Sequence, residues 1–209
     1  MNRTTTTFPA QLSLLARVAL GIAVAAIAAL ALGAGSAKAA ESIGSDLDPS
    51  VQPSNAGTAH ECNGFEGQTC TWVMNEAYGN PGGEETTKAG TLKQVKLIAG
   101  EAGFFKLQVV KTRNDNSSKV VANGPRIVYD GQTDENFDTG EYNVEKFKVD
   151  VPVPAGARLA IKTKETSTLR CSSGGDNTLL HQPPLVKGAN FLAPDSDDGC
   201  WMLIEGKVK

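Results

Sequence analysis

Between Phe147 and Ile161 the chain reads FKVDVPVPAGARLAI, and Phe147, Val149, Val151 and Val153 alternate with Lys148, Asp150, Pro152 and Pro154. A two-residue period puts one set on each face of a β-strand. Ala155-Gly156 breaks the run, and Leu159 and Ile161 resume it beyond a tight corner. Similar pieces flank this stretch. Cys70, Trp72 and Met74 share one face of a first strand, and Val95 and Leu97 belong to a strand over 91–98. Phe105, Leu107 and Val109 alternate with Lys106 and Gln108, which predicts a strand over 104–112 in hairpin order with 91–98. Shorter strands are expected at 119–122, 126–129 and 169–171, and a last one over 200–208.

The breaks carry turn chemistry. Tyr78–Gly83, Ala99–Gly103, Asn123-Gly124-Pro125, Gly131–Gly140 and Ser172–Asn177 read as turns or loops. Residues 178–199 hold Pro183, Pro184, Gly188 and Pro194 among scattered apolar side chains. They predict a long irregular connection in which Leu185, Phe191 and Leu192 pack against a sheet. No window past residue 40 shows a 3.6-residue period. Short strands spaced 8–12 residues apart therefore predict an all-β fold, a two-sheet antiparallel β-sandwich, jelly-roll-like in preference to immunoglobulin-like.

The N-terminus has a different character. Arg3 and Arg17 precede an uninterrupted apolar run from Val18 to Leu32, and Ala37-Lys38-Ala39 supplies small residues where a signal peptidase reads. Residues 1–39 are read as a signal peptide cleaved before Ala40, which makes the protein secreted and free of stable membrane insertion. Residues 40–60 are rich in Pro, Ser, Gly and Asp, and predict a flexible leader ahead of a single domain at 61–209. Cleavage shifts the net charge from −3 to −6, with 17 basic against 23 acidic side chains. That balance argues against nucleic acid as a partner.

All four cysteines, Cys62, Cys70, Cys171 and Cys200, follow the signal segment. An even count outside the cytoplasm reads as two disulfides, and no Cys-x-x-Cys knuckle favours zinc. Three pairings are open; the local one, Cys62–Cys70 with Cys171–Cys200, is preferred. Together, the signal segment, the paired cysteines and the VPVPAGARLAI corner resemble a group of secreted β-sandwich proteins of high-GC Gram-positive bacteria. The likeness spans residues 90–165, and Ala157-Arg158 stand where many of that group carry an acidic residue. It implies an exported sandwich and transfers no activity or site residue.

Enzymatic templates are missing. No Gly-x-Ser-x-Gly elbow, His-Glu-x-x-His pair or phosphate-cradling glycine loop follows residue 39. His60 and His181 have no partner at a productive spacing, and the carboxylates Asp134, Glu135, Asp138 and Glu141 read as a solvated loop. Asp195, Asp197 and Asp198, followed by Gly199, resemble the opening of a calcium loop but lack its 1-3-5 spacing and distal Glu, so the segment is read as an acidic turn with calcium as the alternative, and no other cofactor is expected. Trp201, Tyr78 and Tyr129 are the candidate ligand-stacking aromatics, whereas Trp72, next to Cys70 and Thr71, is assigned to the core. The reading that follows is an exported, non-enzymatic module binding a ligand or partner at the cell envelope, carbohydrate foremost. A structural or self-assembling surface protein is the second reading, and a carboxylate-dependent hydrolase the third.

Overall fold

Two antiparallel sheets face each other in the computed structural model, which describes residues 40–48, 62, 68–164 and 173–209, with side chains of the last stretch from Asn177 onward. The strands are β1 (Glu41–Gly44), β2 (Cys70–Met74), β3 (Gly90–Leu97), β4 (Gly103–Thr112), β5 (Ser118–Tyr129), β6 (Glu145–Val153), β7 (Arg158–Thr163), β8 (Ser173–His181), β9 (Ser196–Cys200) and β10 (Ile204–Val208). A single short helix, α1 (Asp134–Thr139), lies between β5 and β6 among the described residues. One sheet has the order β1-β10-β3-β6 and the other β5-β4-β7-β2-β8-β9. The protein is an all-β two-sheet sandwich.

The period-two reading locates the core. Val149, Val151 and Val153 of β6 are buried, while Lys148, Asp150 and Pro152 face solvent. Leu92, Val95 and Leu97 of β3, Phe105, Leu107 and Val109 of β4, and Leu159 and Ile161 of β7 meet them in one cluster. The Ala155-Gly156 corner carries the chain from one sheet to the other, with Gly156 at φ 64° in the left-handed region. Thr86 fastens it: its backbone N–H donates to the Ala157 carbonyl, its carbonyl accepts from Gly156 N–H, and its hydroxyl donates to the Pro154 carbonyl. Arg158 donates from Nε and Nη2 to Glu85 Oε1 and from Nη1 to Asn75 Oδ1, so the basic residue at this corner has its own acidic partner.

Several expectations are corrected. The leader expected over 40–60 is not flexible over its first residues: β1 pairs antiparallel with β10 from Glu41↔Val208 to Gly44↔Glu205. Ile43 and Leu47 are enough apolar surface to anchor it, both being buried. Residues 49–60, and His60 with them, lie outside the described residues, as does the strand expected at 169–171. Asn123-Gly124-Pro125 is a bulge inside β5 and not a turn, because both flanks pair with β4 and only the register shifts. A side chain at Gly124 would place Cβ 2.9 Å from Leu107, so the chain kinks there without one. The turn expected at Ser172–Asn177 and the irregular connection at 178–199 contain β8 and β9, whose polar residues pair at the rim of the six-stranded sheet. The final strand is two strands in different sheets, with Trp201-Met202-Leu203 crossing between them. The loop at 131–140 includes α1, capped by Thr133 and Asn136 and closed by Gly140 at φ 73°.

Cys62–Cys70 forms the disulfide expected of the local pairing, joining residues eight apart beside the core. Cys200 is also disulfide-bonded, and Cys171 lies outside the described residues.

Because β1 contributes a buried side chain to the shared core, shortening it should unfold more than the terminus. Ile43→Ala is expected to lower the free energy of unfolding by about 2–5 kcal/mol, read by urea titration. A loss below a few tenths of a kcal/mol would mean that β1 is not part of the cooperative unit.

Candidate binding face

The aromatic candidates do not form a platform. Tyr129 is buried in the core, its ring 5.9 Å from that of Phe105. Tyr78 and Trp201 do meet, edge to face at 5.2 Å, and both are half-buried. Their surroundings are structural: Tyr78 N–H donates to Ser45 Oγ, Ser45 Oγ donates to the Met202 carbonyl, and Asp46 N–H donates to the Tyr78 carbonyl. The pair is part of a clasp joining the residues after β1 to those before β10. Trp72 is buried in the main core, as expected.

The acidic segment that suggested calcium is not gathered into one site. Asp197 and Asp198 are consecutive residues of β9, opposite Leu179 and Thr178 of β8. Consecutive strand residues point to opposite faces, so these carboxylates diverge. Asp195 accepts the backbone N–H of Gln182 at 2.5 Å. Among the described residues no cluster of three or more His, Cys, Asp or Glu side chains is placed to hold a metal ion. Among the described residues, no helix is long and apolar enough to cross a membrane.

The outer face of the six-stranded sheet is divided in two. Over β8, β2, β7 and β4 it is covered by the strap from Gln182 to Asp195. Leu185 of the strap sits in a buried cluster with Val73, Val110, Val120, Ala160 and Leu179. The Leu185 N–H donates to Thr71 Oγ1, Gln108 Nε2 donates to the Leu185 carbonyl, and Ser118 and Leu192 exchange two backbone hydrogen bonds. Phe191 is held beneath two cations, with Arg113 3.7 Å and Lys119 4.7 Å from its ring centroid. Sequence alone suggested that this segment packs; that it crosses a sheet built partly from its own flanks could not be read there.

His181 lies at the root of the strap. It is fully buried, and neither ring nitrogen has a hydrogen-bond partner of good geometry. Burial pushes its pKa down to about 4, against the weaker opposing pulls of the Ala193 carbonyl and the Asp195 carboxylate.

The rest of this outer face is open. Arg126 of β5 stands opposite Lys106 of β4, and Lys106 stands opposite Lys162 of β7. The cross-strand register places three cations in one row over three adjacent strands, about 4.8 Å from strand to strand. In the next row Phe104 stands opposite Val128, both exposed, and the Arg126 guanidinium lies 3.6 Å from the Phe104 ring centroid. Among the described residues none of these three cations has an ion-pair partner. Like charges directly opposite on neighbouring strands cost roughly 0.2–1 kcal/mol per pair, and among the described residues no carboxylate offsets that.

The open face of the four-stranded sheet is also basic. Lys96 of β3 stands opposite Lys146 of β6, and Lys148 lies one outward position further along. Here a carboxylate sits at the centre: Glu205 accepts from Lys207 at 2.5 Å, and from Lys96 and Ser42 at 2.8 Å each. Burial pushes the Glu205 carboxyl up, but the hydrogen bonds from Lys207, Lys96 and Ser42 together outweigh it, and the net shift is downward. Asp46, Leu47, Asp48 and Val144 complete the walls of a shallow depression of about 290 Å³ over this cluster.

No family model matches the chain, and neither a curated protein nor a solved structure is similar to it.

Two stability measurements follow. Lys106→Glu should stabilise the fold by a few tenths to about 1 kcal/mol at low salt, because the acid would face Arg126 and Lys162. The gain should shrink at high salt, and a destabilised variant would show that the row is not a repulsive one. His181 binds its proton more weakly in the folded state than in the unfolded one. Its contribution to stability is complete above pH 6.5 and is lost as pH falls towards 4, by on the order of 3 kcal/mol. His181→Gln should flatten the difference in unfolding free energy between pH 7 and pH 4 relative to the unaltered protein; an unchanged slope would show that other groups set it.

Proposed function

We propose that this protein is an exported, disulfide-bonded, non-enzymatic binding module of the cell envelope, and that its ligand is an acidic carbohydrate held on the open face of the six-stranded sheet. The observation that carries this reading is the row Arg126, Lys106, Lys162. It is an uncompensated cost in a chain whose overall charge is acidic, and such a cost is offset when an anion occupies the row. Phe104 and Val128 beside it offer apolar surface to the C–H faces of a sugar. Among the described residues Phe104 is the one exposed aromatic on this face, and a single ring is not the run of stacking platforms that single-stranded nucleic acid uses, which disfavours nucleic acid.

The export reading rests on the signal-like residues 1–39 and on the disulfides. The expected cleavage before Ala40 also leaves β1 starting at the second residue of the mature chain. The jelly-roll reading rests on strand order. In β1-β10-β3-β6 and β2-β7-β4-β5 the eight strands other than the β8–β9 hairpin follow the order of two interleaved Greek keys. The β8–β9 hairpin then extends one sheet past β2. The kinship with secreted sandwich proteins of high-GC Gram-positive bacteria is part of the same proposal.

Polygalacturonate, a linear carboxylated glycan, and a neutral glucan of matched length provide the test by calorimetry. Binding of the first and not the second is expected, falling steeply between 50 and 500 mM salt on the order expected from screening. Charge reversal at Lys106 and Arg126 together should weaken it at least tenfold. Equal affinity for the neutral polymer, no binding of either, or tighter binding of single-stranded DNA would each overturn the proposal.

A further inference from the structure

The two open faces are built alike, and they point in opposite directions. The face of the six-stranded sheet presents Arg126, Lys106 and Lys162, and the face of the four-stranded sheet presents Lys96, Lys146, Lys148 and Lys207. Most acids lie elsewhere: Glu76, Glu84, Glu85, Glu101, Asp130, Asp134, Glu135, Asp138 and Glu141 are all in connections between strands. Cations are thus collected on the two broad surfaces; the four-stranded face also carries Glu205 and Asp150, each paired with lysine, and Asp46 and Asp48 at the wall of its depression.

We infer that the four-stranded face is a second polyanion-binding surface and that the protein bridges two acidic glycan chains, one on each side of the sandwich. The inference rests on the function proposed above and adds its valence. The geometry favours separate chains over one wrapped chain, because a strand passing from face to face must cross the acidic perimeter. The two sites are also chemically distinct. On the six-stranded face the cations are unpaired and flanked by Phe104 and Val128. On the four-stranded face Lys96 and Lys207 are tied to Glu205, which fixes their ammonium groups, while Lys146 and Lys148 are exposed and have no ion-pair partner among the described residues. Lys93 does not belong to this set, since it pairs with Asp150. The ligand contact on this face therefore falls mainly to Lys146 and Lys148, with Glu205 as a positioning group that spaces the two lysines bonded to it.

The experiment uses the unaltered protein, a short oligogalacturonate for stoichiometry and long polygalacturonate for bridging. Calorimetry with the oligomer is expected to give two sites per chain. Light scattering with the polymer should rise to a maximum at intermediate protein-to-polymer ratio and fall again in excess of either. The double variant Lys146→Glu, Lys148→Glu should retain one site and lose the scattering maximum, and Lys106→Glu with Arg126→Glu should do the same from the other face. Circular dichroism and urea titration establish that each variant is folded, and sedimentation that the protein alone is not already a dimer. One site in the unaltered protein, or scattering that survives the Lys146/Lys148 double variant, overturns bivalence while leaving the single-face reading standing. Absence of any oligomer binding overturns the underlying function.

Discussion

The sandwich closes at Gly206, where both sheets press on one backbone. A side chain there would put Cβ 2.6 Å from Leu92 Cδ1 in its own sheet and 3.4 Å from Leu159 Cδ1 in the facing one. Because the position is bare, β10 can slot between β1 and β3 while the two sheets keep their packing distance. Gly44 has a related role at φ 93°, where a Cβ would fall 2.3 Å from the Ile204 carbonyl oxygen. The first and last strands are thereby locked edge to edge, and the four-stranded sheet exists only when the two ends of the described chain meet. The closure also determines the chemistry outside. With Ile204, Gly206 and Val208 turned inward, Glu205 and Lys207 must point to the open face, where they meet Lys96 and Ser42.

Charge is distributed by the same alternation. A strand with a buried face of Val, Leu and Phe turns its intervening positions to the outer face, and in β3, β4, β6 and β7 lysine recurs there, at Lys93, Lys96, Lys106, Lys146, Lys148 and Lys162. The excess of acid is then confined to loops and to the rim strand β9. Among the described residues the cross-strand neighbours Arg126, Lys106 and Lys162 have no carboxylate partner, in contrast to Lys96 and Lys207, which share Glu205. One sheet carries unsatisfied charge and the other carries charge fixed in position.

The inward half of this arrangement was legible in the sequence, and the outward half was not. Val149, Val151 and Val153 announced their own burial, but the hairpin expected between 91–98 and 104–112 does not form: β3 and β4 lie in different sheets, where β3 pairs with β10 and β6 and β4 with β5 and β7. What failed to show was pairing between remote segments. Glu41–Gly44 has too little local pattern to be seen as a strand, and it becomes one because β10 offers it an edge. Ser173–Asn177 looks like a turn for the same reason. The row of three cations is likewise invisible along the chain, since Lys106, Arg126 and Lys162 are brought together only by register. The aromatic residues misled in the opposite direction: Tyr78 and Trp201 are near each other in space, but their polar neighbours commit them to clasping the chain ends. Asp195, Asp197 and Asp198 looked convergent because they are close in sequence, and a strand separates what a loop would have gathered.

The edges of the sheets bear on the choice between a binding module and a self-assembling one. A surface protein that grows by strand addition needs a long, flat edge with free donors. Here β6 carries Pro152 and β5 carries Pro125 beside its bulge, so each loses a donor and β5 kinks. The rim strand β9 presents Asp197 and Asp198, whose carboxylates would repel those of a second copy, and β1 has four residues. All four edges are therefore poor templates for another copy of the chain. The uncovered parts of the broad faces lack such protection: they carry clustered cations, and on one of them these have no ion-pair partner among the described residues. Guarded edges disfavour growth by strand addition, so the binding reading proposed above falls on the faces of the sandwich and not on its edges.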